Sequence, residues 1–492
     1  MECKGFVDAT APIGRLDRRC HGQFIEHLGK CIYGGVWVGE DSKIPNVRGF
    51  RKDVLEAVRE LRPPIVRWPG GNFASGYHWL DGVGPRGKRP RCLEMAWGAE
   101  EPNEFGTDEF LEWCKLVGAE PFIVVNAGNG SPMEAAGWVE YCNSDGGTYY
   151  ASLRRSYGHP KPSRVKLWGI GNELYGRWQV GFCMDGRECA RRTVEFANEM
   201  RKVDPSIELV AVGCEDSEWN LEMVKNAGEY FDYLSVHIYI EGEKPYREMA
   251  AVSVDVERRL RNVYGLVESA RRKYGIKREV RLAFDEWNVW YPEAKSPMYE
   301  QVTSVGDAVF TGLILNVLHR LCKMVSIGGF AQTVNVLPLI IASDDGRIAL
   351  TPQYLVFKMY ATSSGSLALR TFTDSPSYLS QELEEHIPFI DLSATLAEDK
   401  KTLYLYVVNR HESEPADLRV SLRGFKPKEA SQLYIAGKSI EDRNTLEEPN
   451  NVRIKETRAK IDKGEVFLAL HPHSVNVITL KQRQAEFSLI TK

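Results

Sequence analysis

Between about residues 20 and 360 the sequence alternates apolar runs of strand length with segments of helical period, eight times in succession. The strand candidates are Gly22 to Glu26, Pro64 to Trp68, Pro121 to Asn126, Val165 to Gly171, Glu208 to Gly213, Tyr233 to Tyr239, Val280 to Glu286 and Gly329 to Val334. Helix-period segments lie between them: Asp53 to Leu61, Thr107 to Val117, Ala190 to Val203, Trp219 to Val224, Val256 to Tyr274 and Val305 to Leu321. Leu55, Val58 and Leu61 recur at three-residue spacing and would turn one apolar stripe toward a sheet. Such alternation specifies an α/β fold with a parallel sheet, and eight units over ~340 residues fit a closed (β/α)8 TIM barrel better than an open doubly wound sheet. An open sheet would carry a phosphate loop after its first strand. The sole GxGxxG, Gly82 to Gly87, follows Trp79-Leu80-Asp81 and precedes no helix, so it reads as an ordinary loop.

Past Gly365 the texture changes. Leu403 to Val408, Leu418 to Leu422, Val466 to Leu470 and Ser474 to Ile478 are short β runs separated by polar turns. They predict a carboxyl-terminal antiparallel β-sandwich, jelly-roll-like, over residues 363–492, with the barrel at 20–362. Residues 1–19, through Phe6 to Ala9 and Ile13 to Leu16, are expected to add strands to that sandwich. Sixty-three basic against 67 acidic residues leave a net charge of −4, which offers no electrostatic reason to bind nucleic acid or an anionic membrane. No apolar run has the length of a membrane span, and the opening residues lack the apolar core of a secretory leader, so a cytoplasmic location is expected. The ten cysteines form no CxxC, and most lie in apolar context as buried thiols. Cys183 and Cys189 are near enough in sequence to bridge, and the sequence leaves open whether they do.

Two of the strand-like runs end on acids: Trp168-Gly169-Ile170-Gly171-Asn172-Glu173 and Leu282-Ala283-Phe284-Asp285-Glu286-Trp287. A carboxylate at the end of a buried strand is costly to desolvate unless it is paired or used. Two of them on strands four and seven, across the mouth of one barrel, suit glycosidic bond cleavage, where one acid protonates the leaving oxygen while the other attacks or activates water. More polar groups reach the same rim: Glu26, Arg67 to Asn72, Asn126, His237, Tyr239, Gln332 and Asn335. Alternation of strand faces would put Asp285 on the side opposite Glu286, in a structural role.

These stretches together resemble family 51 glycoside hydrolases, the α-L-arabinofuranosidases. The resemblance rests on Glu26 to Gly35, Arg67 to Tyr77, Gly171-Asn172-Glu173, Trp178 to Gly181, Ser235 to Tyr239 and Phe284 to Tyr291, in this order along essentially the whole chain. It implies a retaining, exo-acting enzyme that releases terminal α-L-arabinofuranosyl residues from hemicellulose or arabinan, with no cofactor and no metal. Glu173 would be the acid/base, protonated until it donates, and Glu286 the nucleophile, their carboxyl groups ~5–5.5 Å apart. Asn172 would hold the sugar's 2-hydroxyl, and Glu26, Arg67, Asn72 and Gln332 would bind the furanose hydroxyls. His237 and Tyr239 would orient the nucleophile, and Trp97 and Trp178 would be apolar walls. The family also implies a homo-oligomer, a trimer or hexamer.

Blander readings compete. Arg67 would serve equally as the partner of a barrel carboxylate, His237 as a satisfied core histidine and Trp178 as packing. As pure ligands, Arg67 and Glu26 could be truncated with little loss of stability. An endo-acting β-glycanase is the second enzyme reading, and a carbohydrate-binding protein without catalysis the third. A pocket closed by the 72–97 and 126–146 loops favours the exo enzyme, and an open cleft the endo enzyme.

Overall fold

The eight barrel strands are Gln23–Phe24, Ile65–Trp68, Glu120–Val125, Leu167–Ile170, Glu208–Ala211, Tyr233–Glu241, Arg281–Trp290 and Val325–Phe330, here called strands one to eight. In this computed structural model, which describes residues 1–482, they close in sequence order. Every neighbouring pair is parallel, and Phe330 of strand eight pairs with Gln23 of strand one. Ile65, Phe122, Val124, Leu167, Val210, Ala283 and Ile327 fill the barrel below its mouth. Strand eight begins four residues before the expected Gly329-to-Val334 run. Gly328 and Gly329 look like a boundary in sequence but lie inside the strand, because neighbouring backbone crosses there. A Cβ on Gly328 would stand 2.1 Å from the Cys20 carbonyl oxygen, and one on Gly329 2.2 Å from that of Asp285.

Strand seven holds one residue more than either neighbour can match. Ser235 pairs with Ala283 but His237 with Glu286, and Phe284 pairs with Gly328 but Trp287 with Phe330. This is a β-bulge, which interrupts the alternation of faces. The face expected for Asp285 is therefore wrong, though its role is a holding one: its carboxylate accepts from Ser235 Oγ at 2.6 Å and lies 3.6 Å from Arg67 Nε, inside the barrel with Glu286.

The expected helices are present, joined by three the periodicity did not reveal: Pro132–Asn143, Tyr149–Ser156 and Pro352–Thr362. Two of these start with Pro at the first helical position behind a capping hydroxyl, Ser131 or Thr351. The helix Val305–Arg320 has no polar face; Val305 to His319 are all buried. Its outer side packs on strands Ile390–Leu396, Thr402–Asn409 and Ser474–Lys481 of the second sheet. Gly312 permits the approach, since a Cβ there would meet Val475 Cγ1 at 2.9 Å.

That sheet has ten strands. From one edge they are Lys455–Arg458, Glu429–Ile435, Ser474–Lys481, Thr402–Asn409, Ile390–Leu396, Leu367–Asp374, Glu2–Arg15, Ala416–Arg423, Glu465–Leu470 and Lys460–Asp462. It curls on itself around Leu369, Leu392, Leu405, Leu418, Leu468 and Ile478, while Tyr406, Val408, Val475 and Val477 face the barrel. The amino-terminal residues form one long strand rather than two short ones. It pairs antiparallel with Leu367–Asp374 and parallel with Ala416–Arg423, the one parallel pair of this sheet among the described residues. The last ten residues of the expected 363–492 unit lie outside the described residues.

Candidate active site

Strand four ends in a sharp turn. Gly171 (φ 77°) and Glu173 (φ 41°) both adopt the left-handed conformation, free of cost for the glycine but for Glu173 a strain of the kind that clusters at functional sites. Glu173 thereby faces Glu286 across the barrel mouth. An oxygen of each carboxylate and a ring nitrogen of His237 all lie within 4.8 Å of one another. His237 Nδ1 is 2.8 Å from Glu173 Oε1 and 3.6 Å from Glu286 Oε1, and its Nε2 is 3.0 Å from Ser235 Oγ. Tyr239 Oη donates to Glu286 Oε2 at 2.7 Å. Tyr239 thus holds Glu286 as expected, whereas His237 is bonded first to Glu173.

Arg67 lies beneath the pair. Its Nη1 donates to Glu286 Oε1, its Nη2 to Asn172 Oδ1 at 2.7 Å, and its guanidinium stacks 4.6 Å over the Phe24 ring. Burial works against its charge, yet Glu286 and Asp285 hold it above the ordinary arginine value. Burial likewise opposes the imidazolium of His237, but Glu286, Asp285 and Glu173 push that residue up to about 10. Glu173 answers in the opposite direction: burial would raise it, and the bond to His237 lowers it below the usual glutamate range. Both directions lean the shared proton toward His237, whereas a retaining mechanism calls for it on Glu173 when the leaving oxygen departs.

Glu26 forms the far wall. Its Oε1 accepts from Phe73 N–H at 3.1 Å and Trp97 Nε1 at 3.4 Å, and its Oε2 from Gln332 Nε2 at 2.8 Å. Burial first, and then the Glu286 charge, push it up to about 7. The Pro69-Gly70-Gly71-Asn72 segment passes close by. A Cβ on Gly70 would lie 2.6 Å from Glu26 Cγ, and one on Gly71 3.0 Å from Glu286 Oε1. Asn72 Oδ1 accepts from Asn172 Nδ2 at 3.3 Å and from Gln179 Nε2. The excursion bearing Trp97 is anchored by Glu101. Trp68 Nε1–H donates to His27 Nε2 at 3.0 Å, leaving Nδ1–H of His27 to donate to Glu101 at 2.9 Å.

A cavity of about 330 Å³ opens above these groups, lined by Glu26, Asn72, Trp97, Glu173, Trp178, Tyr239, Glu286 and Gln332. Arg67, Asn172 and His237 do not line it; they sit one layer below. Sequence reasoning missed Tyr299, Trp290, Leu28, Val336 and Leu337, which complete the wall. Trp290 lies inside a motif already singled out, whereas Tyr299 sits in an irregular loop without period. The ring centroids of Trp97 and Tyr299, Tyr299 and Trp290, and Trp290 and Tyr239 are 5.4, 5.5 and 5.4 Å apart, an unbroken aromatic rim. The 290–299 and 332–337 segments close the pocket with Asn72 and Trp97; the 126–146 segment does not. Asn126 instead accepts the N–H groups of Gly128, Asn129 and Gly130, and Asn335 bridges Lys30 O and Ala342 N, so both hold loops. Glu173, His237 and Glu286 are the one grouping with metal-ligand spacing among the described residues, and Arg67 neutralises part of its charge. All ten cysteines, Cys183 and Cys189 included, are free thiols.

Two family models match the chain: an α-L-arabinofuranosidase 1 domain over residues 57–258 and an α-L-arabinofuranosidase C-terminal domain over residues 285–474. An intracellular exo-α-(1→5)-L-arabinofuranosidase of Halalkalibacterium halodurans is 33% identical, over 97% of this chain and 98% of that protein. The chain belongs to the family 51 α-L-arabinofuranosidases. The α-L-arabinofuranosidase C of Emericella nidulans is another relative, 37% identical over 83% of this chain and 85% of that protein. Among solved structures, the Thermotoga maritima α-L-arabinofuranosidase in complex with arabinose superposes with a TM-score of 0.91 at 39% identity, covering 98% of this chain and 100% of that one. The family 51 enzyme of Bifidobacterium longum gives 0.92 at 30% identity, covering 97% and 99%. A bifunctional glucanase-xylanase from a metagenome library, 12% identical over 98% of this chain and 99% of that one, shares the fold alone, with a TM-score of 0.64.

Proposed function

We propose that the protein is a retaining, exo-acting glycoside hydrolase that releases terminal α-L-arabinofuranosyl residues from arabinose-containing oligo- or polysaccharides. The observation that carries this is the close pair Glu173 and Glu286 at the floor of a cavity that the aromatic rim closes on one side. A separation of this size leaves no room for a water between the carboxylates and suits a double displacement. Glu286, ionised beside Arg67 and aligned by Tyr239, attacks the anomeric carbon. Glu173 takes the proton held by His237 and passes it to the leaving oxygen. Once Glu286 is esterified its charge is gone, and Glu173 then removes a proton from the water that releases arabinose. Glu26, Asn72 and Gln332 present polar groups to the furanose hydroxyls; Arg67 and Asn172 hold the layer below them in register.

Glu286→Ala should abolish turnover even of an activated aryl arabinofuranoside. Glu173→Ala should still be glycosylated by that substrate, stall at deglycosylation, and recover turnover with azide, giving a glycosyl azide of retained configuration. An inverted azide product, or no response to azide, would remove Glu173 from this role. A cytoplasmic location is supported by the intracellular names of relatives and by eight buried free thiols; among the described residues no helix is long and apolar enough to cross a membrane. The trimer or hexamer rests on the family resemblance, and light scattering of the purified protein tests it.

A further inference from the structure

Among the described residues, eight of the twelve large apolar side chains left exposed sit in the connections that follow strands two, three and four: Leu80, Leu93, Met95, Met133, Trp178 and Met184, with Tyr149 and Val203. Scattered singly, exposed apolar side chains need no explanation, but a gathering on one part of one rim does. Met95, Trp178, Met133 and Met184 are 61, 65, 69 and 71% exposed. The segments that carry them abut one another. Asn129 Nδ2 reaches Met95 Sδ at 3.9 Å, and a Cβ on Gly181 would lie 2.3 Å from the Gly128 carbonyl oxygen. Trp178 also lines the catalytic cavity, so one end of the gathering stands at its mouth.

The position of the strip fixes what it can meet. Tyr299, Trp290 and Tyr239 close the side toward strands six to eight, and Trp97 joins that rim from the excursion after strand two. The strip occupies the other side, next to Glu173, which hands a proton to the departing oxygen. A leaving group that departs from the cavity on the Trp178 side passes over the strip. Methionine is unbranched and polarizable, suited to the C–H faces of rings that arrive in more than one orientation. We propose that Met95, Met133 and Met184 extend Trp178 into a platform for the leaving-group side of the substrate, two or more sugar residues of an oligosaccharide. The proposal rests on the arabinofuranosidase reading above.

The test measures kcat/KM for α-1,5-linked arabinofuranosyl di-, tri- and tetrasaccharides and for 4-nitrophenyl α-L-arabinofuranoside, in the wild type and in a Met95→Ser, Met133→Ser double variant. Thermal unfolding of both proteins serves as the folding control. The wild type should gain in kcat/KM with chain length. In the variant the ratio of tetrasaccharide to aryl substrate should fall by about five-fold or more, mostly through KM. An unchanged ratio overturns the platform, as does a wild type indifferent to chain length. A variant that keeps the ratio but changes the oligomeric mass in light scattering assigns the strip to a second copy of the chain instead. Absence of wild-type turnover on every arabinofuranoside would strike the functional reading itself, a result distinct from the others.

Discussion

Replacing Glu26 with glutamine should separate the electrostatic cost of this residue from its use. The wild-type carboxyl is pushed up to about 7 from an ordinary 4.5, by burial and then by Glu286. A carboxyl raised by folding contributes stability that is fully present below the unfolded value and is lost as pH rises through the folded one. Between pH 4.5 and 7 the wild type should therefore lose ~1.4 kcal/mol per pH unit through this group, on the order of 3 kcal/mol in all. Glutamine does not titrate, and the site can accept it. Its oxygen keeps the Phe73 and Trp97 donors, and its amide can reach Gln332 Oε1, a buried acceptor that lacks a partner, if that side chain flips. Urea titrations of both proteins from pH 4.5 to 8.5 should show Glu26→Gln gaining on the wild type by about that amount as pH rises. Its kcat/KM should meanwhile fall ten-fold or more above pH 7, where the wild-type carboxylate carries its charge, on the scale of one charged ligand, ~1.5–3 kcal/mol, and by less below it. A stability difference that does not move with pH would refute the reasoning, because Glu26 would then ionise in the fold as easily as in the unfolded chain.

Arg67→Ala should cost both activity and stability, about 3–5 kcal/mol, because it strands Glu286 and Asp285 without their buried counter-charge; melting at pH 7 measures it, and an unchanged Tm would show that the two acids are neutral in the fold. His21 and His319 should destabilise the enzyme in acid. Their Nε2 atoms are 3.2 Å apart between barrel and sheet, and burial pushes His21 down to about 4 and His319 well below the ordinary histidine value. Stability should thus be lost as pH falls from about 6.5 toward 4, by ~1.4 kcal/mol per unit for each histidine, and His21→Gln should make that slope shallower by one such share.

The barrel was legible because its signals are local: apolar runs, helical stripes and carboxylates at strand ends. The catalytic pair follows from the same positions, and so do most of the cavity walls. What escaped depends on contacts distant in sequence. The alternation rule reads one strand by itself, whereas the bulge that brings Asp285 inward exists only against strands six and eight. Asn126 and Asn335 looked like site residues because a polar side chain that holds its own loop is indistinguishable in sequence from one that awaits a ligand. The expectation that Arg67 could be truncated without loss of stability treated it as a ligand alone; its ion pairs with residues 218 and 219 positions later, Asp285 and Glu286, are tertiary facts. The proton shared by His237 and Glu173 likewise required their 2.8 Å contact before its direction could be assigned.

The strand Glu2–Arg15 lies in mid-sheet between Leu367–Asp374 and Ala416–Arg423. On the ribosome it emerges roughly 400 residues before the second of these partners, an interval of about 20–80 s at ordinary synthesis rates. Until Leu367–Asp374 emerges a 14-residue strand has two unpaired edges, and until Ala416–Arg423 follows it still has one, which must be kept from other chains. The barrel cannot shelter it, since the helix Val305–Arg320 awaits the same late sheet to cover its apolar side. Assembly of this enzyme therefore waits on the strands from Leu367 to Lys481, and a chain that stalls after strand eight would hold all eight barrel strands and the catalytic pair with one apolar flank of the barrel left bare.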